Sequence, residues 1–227
     1  MSVLLVPQWA FTHVYPLSEP KRLADAREEV NWTVSIRPDG SLVELASGLE
    51  LSYLFWEAAA RAADAPPTPP LPPVGDDGET VSGEYFDPSR PYLEPGTPTA
   101  VLLPFAALLP YLDNVLRTLA LHTAARNDFI TYWLPALSKR PYVALRFLPQ
   151  AAYERAAELR VEPKPDVVTR VMMLFRGVAE EDVGAWAVAR ERASAGSVDW
   201  ASVVGVKAEA LEEEIFRVLE WGAAEVL

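Results

Sequence analysis

The sequence contains no cysteine. That absence excludes disulfides, thiolate nucleophiles and zinc-finger-type metal sites together. Histidine is nearly as scarce: His13 and His122 are the only two. Neither belongs to an H-x-x-x-H or H-x-E spacing, so no metal site is expected. Asp76–Glu79, DDGE, lacks the twelve-residue ligand spacing of a calcium loop. Positive charge is also short, with 20 Lys and Arg against 32 Asp and Glu, a net charge of −12. A nucleic-acid binder needs a basic footprint to neutralise phosphates, and an anionic membrane would repel this chain, so neither partner is expected.

Long hydrophobic runs are missing as well. Val3–Pro7 is too short for a signal segment or a span and follows no basic region, and two prolines and Asp113 interrupt the apolar stretch Ala100–Leu112. A soluble, cytoplasmic protein is the expectation. Glycine-rich phosphate loops and the G-x-S-x-G elbow are absent, so no nucleotide, dinucleotide or other cofactor is expected and a serine hydrolase is disfavoured.

Apolar residues are plentiful instead, at half of the 227 residues, with 10% aromatic, which is the composition of a globular chain. Val30, Trp32, Val34 and Ile36 alternate with polar neighbours, Pro38–Gly40 supplies a turn, and Leu42, Val43 and Leu45 resume the alternation: a hairpin. Leu49, Leu51, Tyr53 and Phe55 on one face, with Leu54 and Trp56 on the other, predict a central strand buried on both sides. The alanine-rich AAARAA after Glu57 predicts about one helical turn.

Six of the eight residues in Pro66–Pro73 are proline. This reads as a polyproline II spacer, a loop inserted at about residues 65–98, with an SH3-type ligand motif as the alternative. Leu108, Leu112, Val115, Leu116 and Leu119 recur at helical spacing. A second helix is expected with Thr123 as its cap, Phe129, Ile130 and Trp133 inward, and Pro135 as its end. Strands are predicted at Tyr142–Leu148 and from Asp166 to Val178, with an amphipathic helix between them beginning at Pro149. The last stretch, Glu212–Leu227, is ambiguous by period, and its β-branched and aromatic content favours a strand. The expected fold is α+β: a single domain spanning residues 1–227, an antiparallel sheet, and helices packed mainly on one side.

Four stretches carry a resemblance: YLFWE (Tyr53–Glu57), NDFITYWLP (Asn127–Pro135), PKPDVVTRVMML (Pro163–Leu174) and EWG (Glu220–Gly222). With RPDGSL ahead of them, they resemble an uncharacterised family found in bacterial envelope-associated proteins and in fungi. The resemblance runs from about Val30 to the C-terminus and implies one continuous domain, with no activity attached. HVYPLSEP (His13–Pro20) only loosely echoes the tyrosine-and-proline strand usual near the start of bacterial members. The proline insertion is in keeping with fungal-like members.

Candidate chemistry rests on few residues. Glu57 at the end of an aromatic strand would have its carboxylate destabilised by burial and so suit acid–base work, or be only a strand-end charge. Glu220, beside Trp221, offers the same choice, and the two could divide the roles of acid and base. His122 is expected at the end of the first long helix, where the dipole favours imidazolium, with catalysis as the alternative. Arg146 and Arg170 lie in apolar strands and each requires a carboxylate or an anionic ligand; Asp166 or Glu57 is the plain partner for Arg170. Core packing accounts for Phe129, Ile130 and Trp133, leaving Asn127 and Tyr132 to line a cleft with Trp56, Arg146, Arg170 and Trp221. The leading expectation is a binding module for a small molecule or peptide. A metal-independent hydrolase or lyase using Glu57 and Glu220, and an interaction protein presenting the polyproline run, are the alternatives. Oligomeric state is open.

Overall fold

The computed structural model describes residues 1–61, 86–212 and 214–227. The polyproline run Pro66–Pro73 lies outside the described residues. Along the chain come β1 (Ser2–Leu5), β2 (Trp9–Tyr15), β3 (Lys21–Arg22), β4 (Glu28–Asn31), β5 (Val34–Ile36), β6 (Leu42–Glu44), β7 (Glu50–Leu51) and β8 (Phe55–Ala60). Then follow β9 (Val101–Pro104), α1 (Phe105–Thr118), α2 (Thr123–Leu137), β10 (Tyr142–Phe147), α3 (Gln150–Ala156), β11 (Ala157–Arg160) and β12 (Val167–Val178). After a 3-10 turn at Glu180–Trp186 the chain ends with α4 (Ala187–Ala195), α5 (Trp200–Val204) and β13 (Arg217–Glu225). The fold is α+β, and every strand pair described is antiparallel except β12–β13.

The chain divides into two compact units, Met1–Arg90 with Ala152–Lys164, and Pro91–Ala151 with Pro165–Leu227. In the first, the apolar Val3–Leu5 stretch is the buried middle of a sheet ordered β11-β1-β4-β3. The predicted hairpin forms as β5–β6, with Gly40 at φ +84° in the turn where an L side chain would be strained. Val30 belongs to β4 instead, because the chain breaks step at buried Trp32, whose indole N–H donates to the Pro16 carbonyl at 2.9 Å.

The stretch predicted as one central strand is two short ones. β7 pairs with β6, while β8 pairs with β2, leaving Leu49 and Tyr53 exposed between and around them. The helical turn predicted after Glu57 is also absent: Ala58, Ala59 and Ala60 are strand, opposite Phe11, Ala10 and Trp9. Pairing with an aromatic strand outweighs alanine's helix preference, which is worth only a fraction of a kilocalorie per mole over most other residues.

The second unit holds a sheet ordered β13-β12-β10-β9. Val101, Leu103, Val143, Leu145, Phe147, Val171, Met173 and Phe175 alternate onto one face and pack with Leu108, Leu112, Val115 and Leu116 of α1 and Ala125, Phe129 and Leu137 of α2. The period-2 stripe of the strands and the i, i+4, i+7, i+8 stripe of α1 thus meet in one core. α2 continues through Pro135 to Leu137 rather than ending before it. Proline there sits in the last turn, so only a little helix follows the lost hydrogen bond.

Candidate functional site

The sequence candidates are spread over both units. Trp56 and Glu57 lie on β8 in the first unit. Trp56 packs edge-on against Trp9 and Phe11, with ring centroids 6.1 and 5.7 Å apart. A register shift between Phe11 and His13 brings His13 opposite Glu57, and its Nδ1 lies 2.9 Å from Glu57 Oε2. Their side chains are 72% and 37% exposed. β8 runs past Glu57 to Ala60, so Glu57 sits within the strand and not at its end, and it is partly buried. The sequence reading missed His13 as its neighbour, since the bulge that aligns them has no local signature.

Arg146, Arg170 and Glu220 occupy the sheet face of the second unit opposite α1 and α2, because they alternate with Leu145, Val171 and Trp221. Arg170 is 3% exposed and stands across from Glu220 in the parallel register; its Nε donates to Glu220 Oε2. Its backbone N–H donates to Gln150 Oε1 at 2.6 Å. Asp166, one of the partners expected for Arg170, is engaged elsewhere, its Oδ2 accepting the Phe216 N–H at 2.8 Å. Burial of Arg146 pushes its guanidinium down to about 10.

His122 is not at the end of α1, whose last residue is Thr118, followed by the cap Leu119 and a left-handed Ala120. It caps the start of α2, where Nδ1 accepts the Ala125 N–H at 3.3 Å. The place expected for His122 at the end of the first helix is thus replaced by one at the start of the second, where its side chain accepts a hydrogen bond from the first turn. Thr123 is correspondingly the first helical residue and not the cap. Among the described residues no group of three or more His, Asp and Glu side chains could hold a metal ion.

Other candidates lie on the α2 side of β13, within the second unit. Trp221 packs on Phe129 of α2 with centroids 5.5 Å apart, and Trp133 on Phe175 at 5.6 Å. Tyr132, three residues past Phe129 and so on its flank of the helix, is 44% exposed, with its ring 5.0 Å from that of Trp133. Asn127 is exposed at the other end of the same helix. The structure thus groups Tyr132, Asn127 and Trp221 on one side of this sheet, and Arg146, Arg170 and Glu220 on the other.

β13 is also the last strand of its sheet. Val226 N–H donates to Phe175 O, and Phe216 O accepts from Val167 N–H. In a parallel ladder alternate residues make both bonds to one neighbour, so the even-numbered residues of β13 face β12. The main-chain N–H and C=O of Arg217, Leu219, Trp221, Ala223 and Glu225 consequently point outward, where no described strand pairs with them. Arg217 is exposed and Val218–Glu225 are partly exposed. The opposite edge is closed: α4 packs on β9, and the Arg192 guanidinium donates to the Ala100 and Thr97 carbonyls just before that strand. The open edge escaped the sequence reading because strand order is set by pairing, and only the alternation within β13 was visible. No helix among the described residues is long and apolar enough to cross a membrane. No family model, curated protein or solved structure matches the chain.

Proposed function

We propose that the protein is a binding module that takes an extended peptide segment by strand addition along the outer edge of β13, beside Tyr132 and Trp221. The observation that carries this reading is the row of outward main-chain groups on a nine-residue strand. A donor and an acceptor recurring at every second residue match an extended polypeptide better than any compact small molecule. Alternate side chains of the added strand would lie toward Trp221 and α2, where an aromatic surface supplies apolar contact. The net charge of −12 favours a peptide without excess acid. The acid–base alternative rests on two carboxylates, Glu57 beside His13 and Glu220 accepting from Arg170, with no comparable row of groups to carry it.

The test is a random peptide display library panned against the purified chain, followed by amide hydrogen exchange on the complex with a selected peptide. Slowed exchange at Leu219, Trp221 and Ala223, and loss of binding when alternate peptide nitrogens are methylated, is the expected result. Failure to select any peptide, or protection that maps away from β13, overturns the reading.

A further inference from the structure

We infer that the partner this edge fits best is β13 of a second copy of the same chain, joined antiparallel about a two-fold axis at Trp221. The inference rests on the strand-addition reading above and names its occupant. In an antiparallel pair the outward groups must meet outward groups, so only odd-numbered residues can stand opposite odd-numbered residues. Centring the pair on Trp221 is the one such register that uses all nine residues of Arg217–Glu225. Leu219 then faces Ala223 of the other copy, Trp221 faces its own counterpart, and Arg217 faces Glu225 at both ends.

The match is self-complementary in charge as well as in hydrogen bonding. The strand carries a cation at its first position and an anion at its last, with apolar Leu219, Trp221 and Ala223 between them on the same face. Reversal about the centre therefore sets unlike charges opposite each other twice, which is what an isologous interface requires. Arg217 uses one guanidinium nitrogen on the Ala210 carbonyl at 2.8 Å, leaving its others as donors. Glu225 gives Oε2 to Lys139 Nζ at 2.7 Å and keeps Oε1 as an acceptor. Five hydrogen-bonded residue pairs would add about ten main-chain bonds and join two four-stranded sheets into one. A strand of this length with no described strand on its outer side is a standing invitation to random edge pairing, and a charge-registered partner removes that hazard. Shifting the register by two residues would leave Glu225 or Arg217 without its opposite charge, so the ends specify the pairing as well as strengthen it.

The test is light scattering coupled to gel filtration, with sedimentation equilibrium across a concentration series of the full chain. The expected mass is twice the 25.0 kDa of one chain, falling to one chain on dilution. Ala223→Pro removes an outward N–H while leaving the β12–β13 ladder whole, and should yield a monomer. Because proline can disturb the strand itself, charge reversal supplies the second arm. Arg217→Glu alone and Glu225→Arg alone should each weaken the dimer by roughly tenfold, as each change occurs twice about the axis. The double variant should restore it. A wild-type chain that stays monomeric throughout, or a dimer indifferent to the single reversals, or one not rescued by the double reversal, overturns the inference. A monomeric chain whose β13 amides are nonetheless protected by a selected peptide sinks only the self-pairing and leaves the strand-addition reading standing.

Discussion

Arg170 and Glu220 stand directly opposite each other on parallel strands β12 and β13, and the guanidinium Nε donates to the carboxylate with both side chains largely shielded from water. The pair ties the last strand of the chain to the middle of its sheet. Two buried charges are expensive to desolvate, and their attraction roughly repays that cost, so the pair has its largest effect when it is broken.

Replacing one member alone should therefore be severe. Arg170→Met or Glu220→Leu removes one partner of this buried pair and is expected to cost about 3–5 kcal/mol in urea unfolding. The double replacement should cost less than the sum of the two single ones. Equal and additive losses would show that the two residues act separately.

Gly177 of β12 accommodates Arg140, the residue two before β10. A Cβ built on Gly177 would lie 2.6 Å from Arg140 Cγ and 3.1 Å from its Cβ. Gly177→Ala should then destabilise by about 1–3 kcal/mol. Adding Arg140→Ala removes the nearer clash and should recover most of the loss, readable as a shift in thermal midpoint.

The strands that bear on these predictions were largely legible in the sequence. Tyr142–Leu148 and Asp166–Val178 read as strands from their apolar content, and the β-branched and aromatic content of Glu212–Leu227 favours a strand against its ambiguous period. Arg170 was recognisable as needing a partner; Glu220 was not recognisable as that partner, since parallel register depends on how β13 returns to the sheet. The break between α1 and α2 was hidden for another reason. Its left-handed residue is Ala120, where glycine would ordinarily advertise the end of a helix. Without that marker His122 was assigned to the wrong helix. In the first unit, Ala58–Ala60 follow their partner strand and not their own preference, which no local pattern reveals.

The reassigned His122 makes its own prediction. As the cap of α2 it satisfies the Ala125 N–H, so His122→Ala should cost about 0.5–2 kcal/mol. His122→Asp should match or exceed the native stability, because a carboxylate both accepts that hydrogen bond and complements the positive end of the helix. Were histidine serving the end of α1, aspartate there would be the worst choice, so the sign of the change in a chemical-denaturation series separates the two placements.

Trp200 of α5 and Tyr111 of α1 test the core by pH. The indole N–H donates to the Tyr111 hydroxyl at 2.8 Å, and Trp200 also packs edge-on against Phe147 with centroids 5.1 Å apart. Burial pushes the Tyr111 phenol up from its ordinary value, with the indole bond opposing that shift. A raised folded value means that the neutral phenol is favoured by the native state. Its contribution is whole below the unfolded tyrosine's value of about 10 and is lost as pH climbs through the higher folded one. Tyr111→Phe should accordingly flatten the alkaline limb of the stability–pH curve above about pH 10, while at neutral pH it strands the indole donor at a cost of about 1–3 kcal/mol. Adding Trp200→Phe should then cost less than it does in the native chain, because the hydrogen bond is already gone. An alkaline limb unchanged by Tyr111→Phe would mean that the phenol titrates alike in the folded and unfolded chain, contrary to its place in this core.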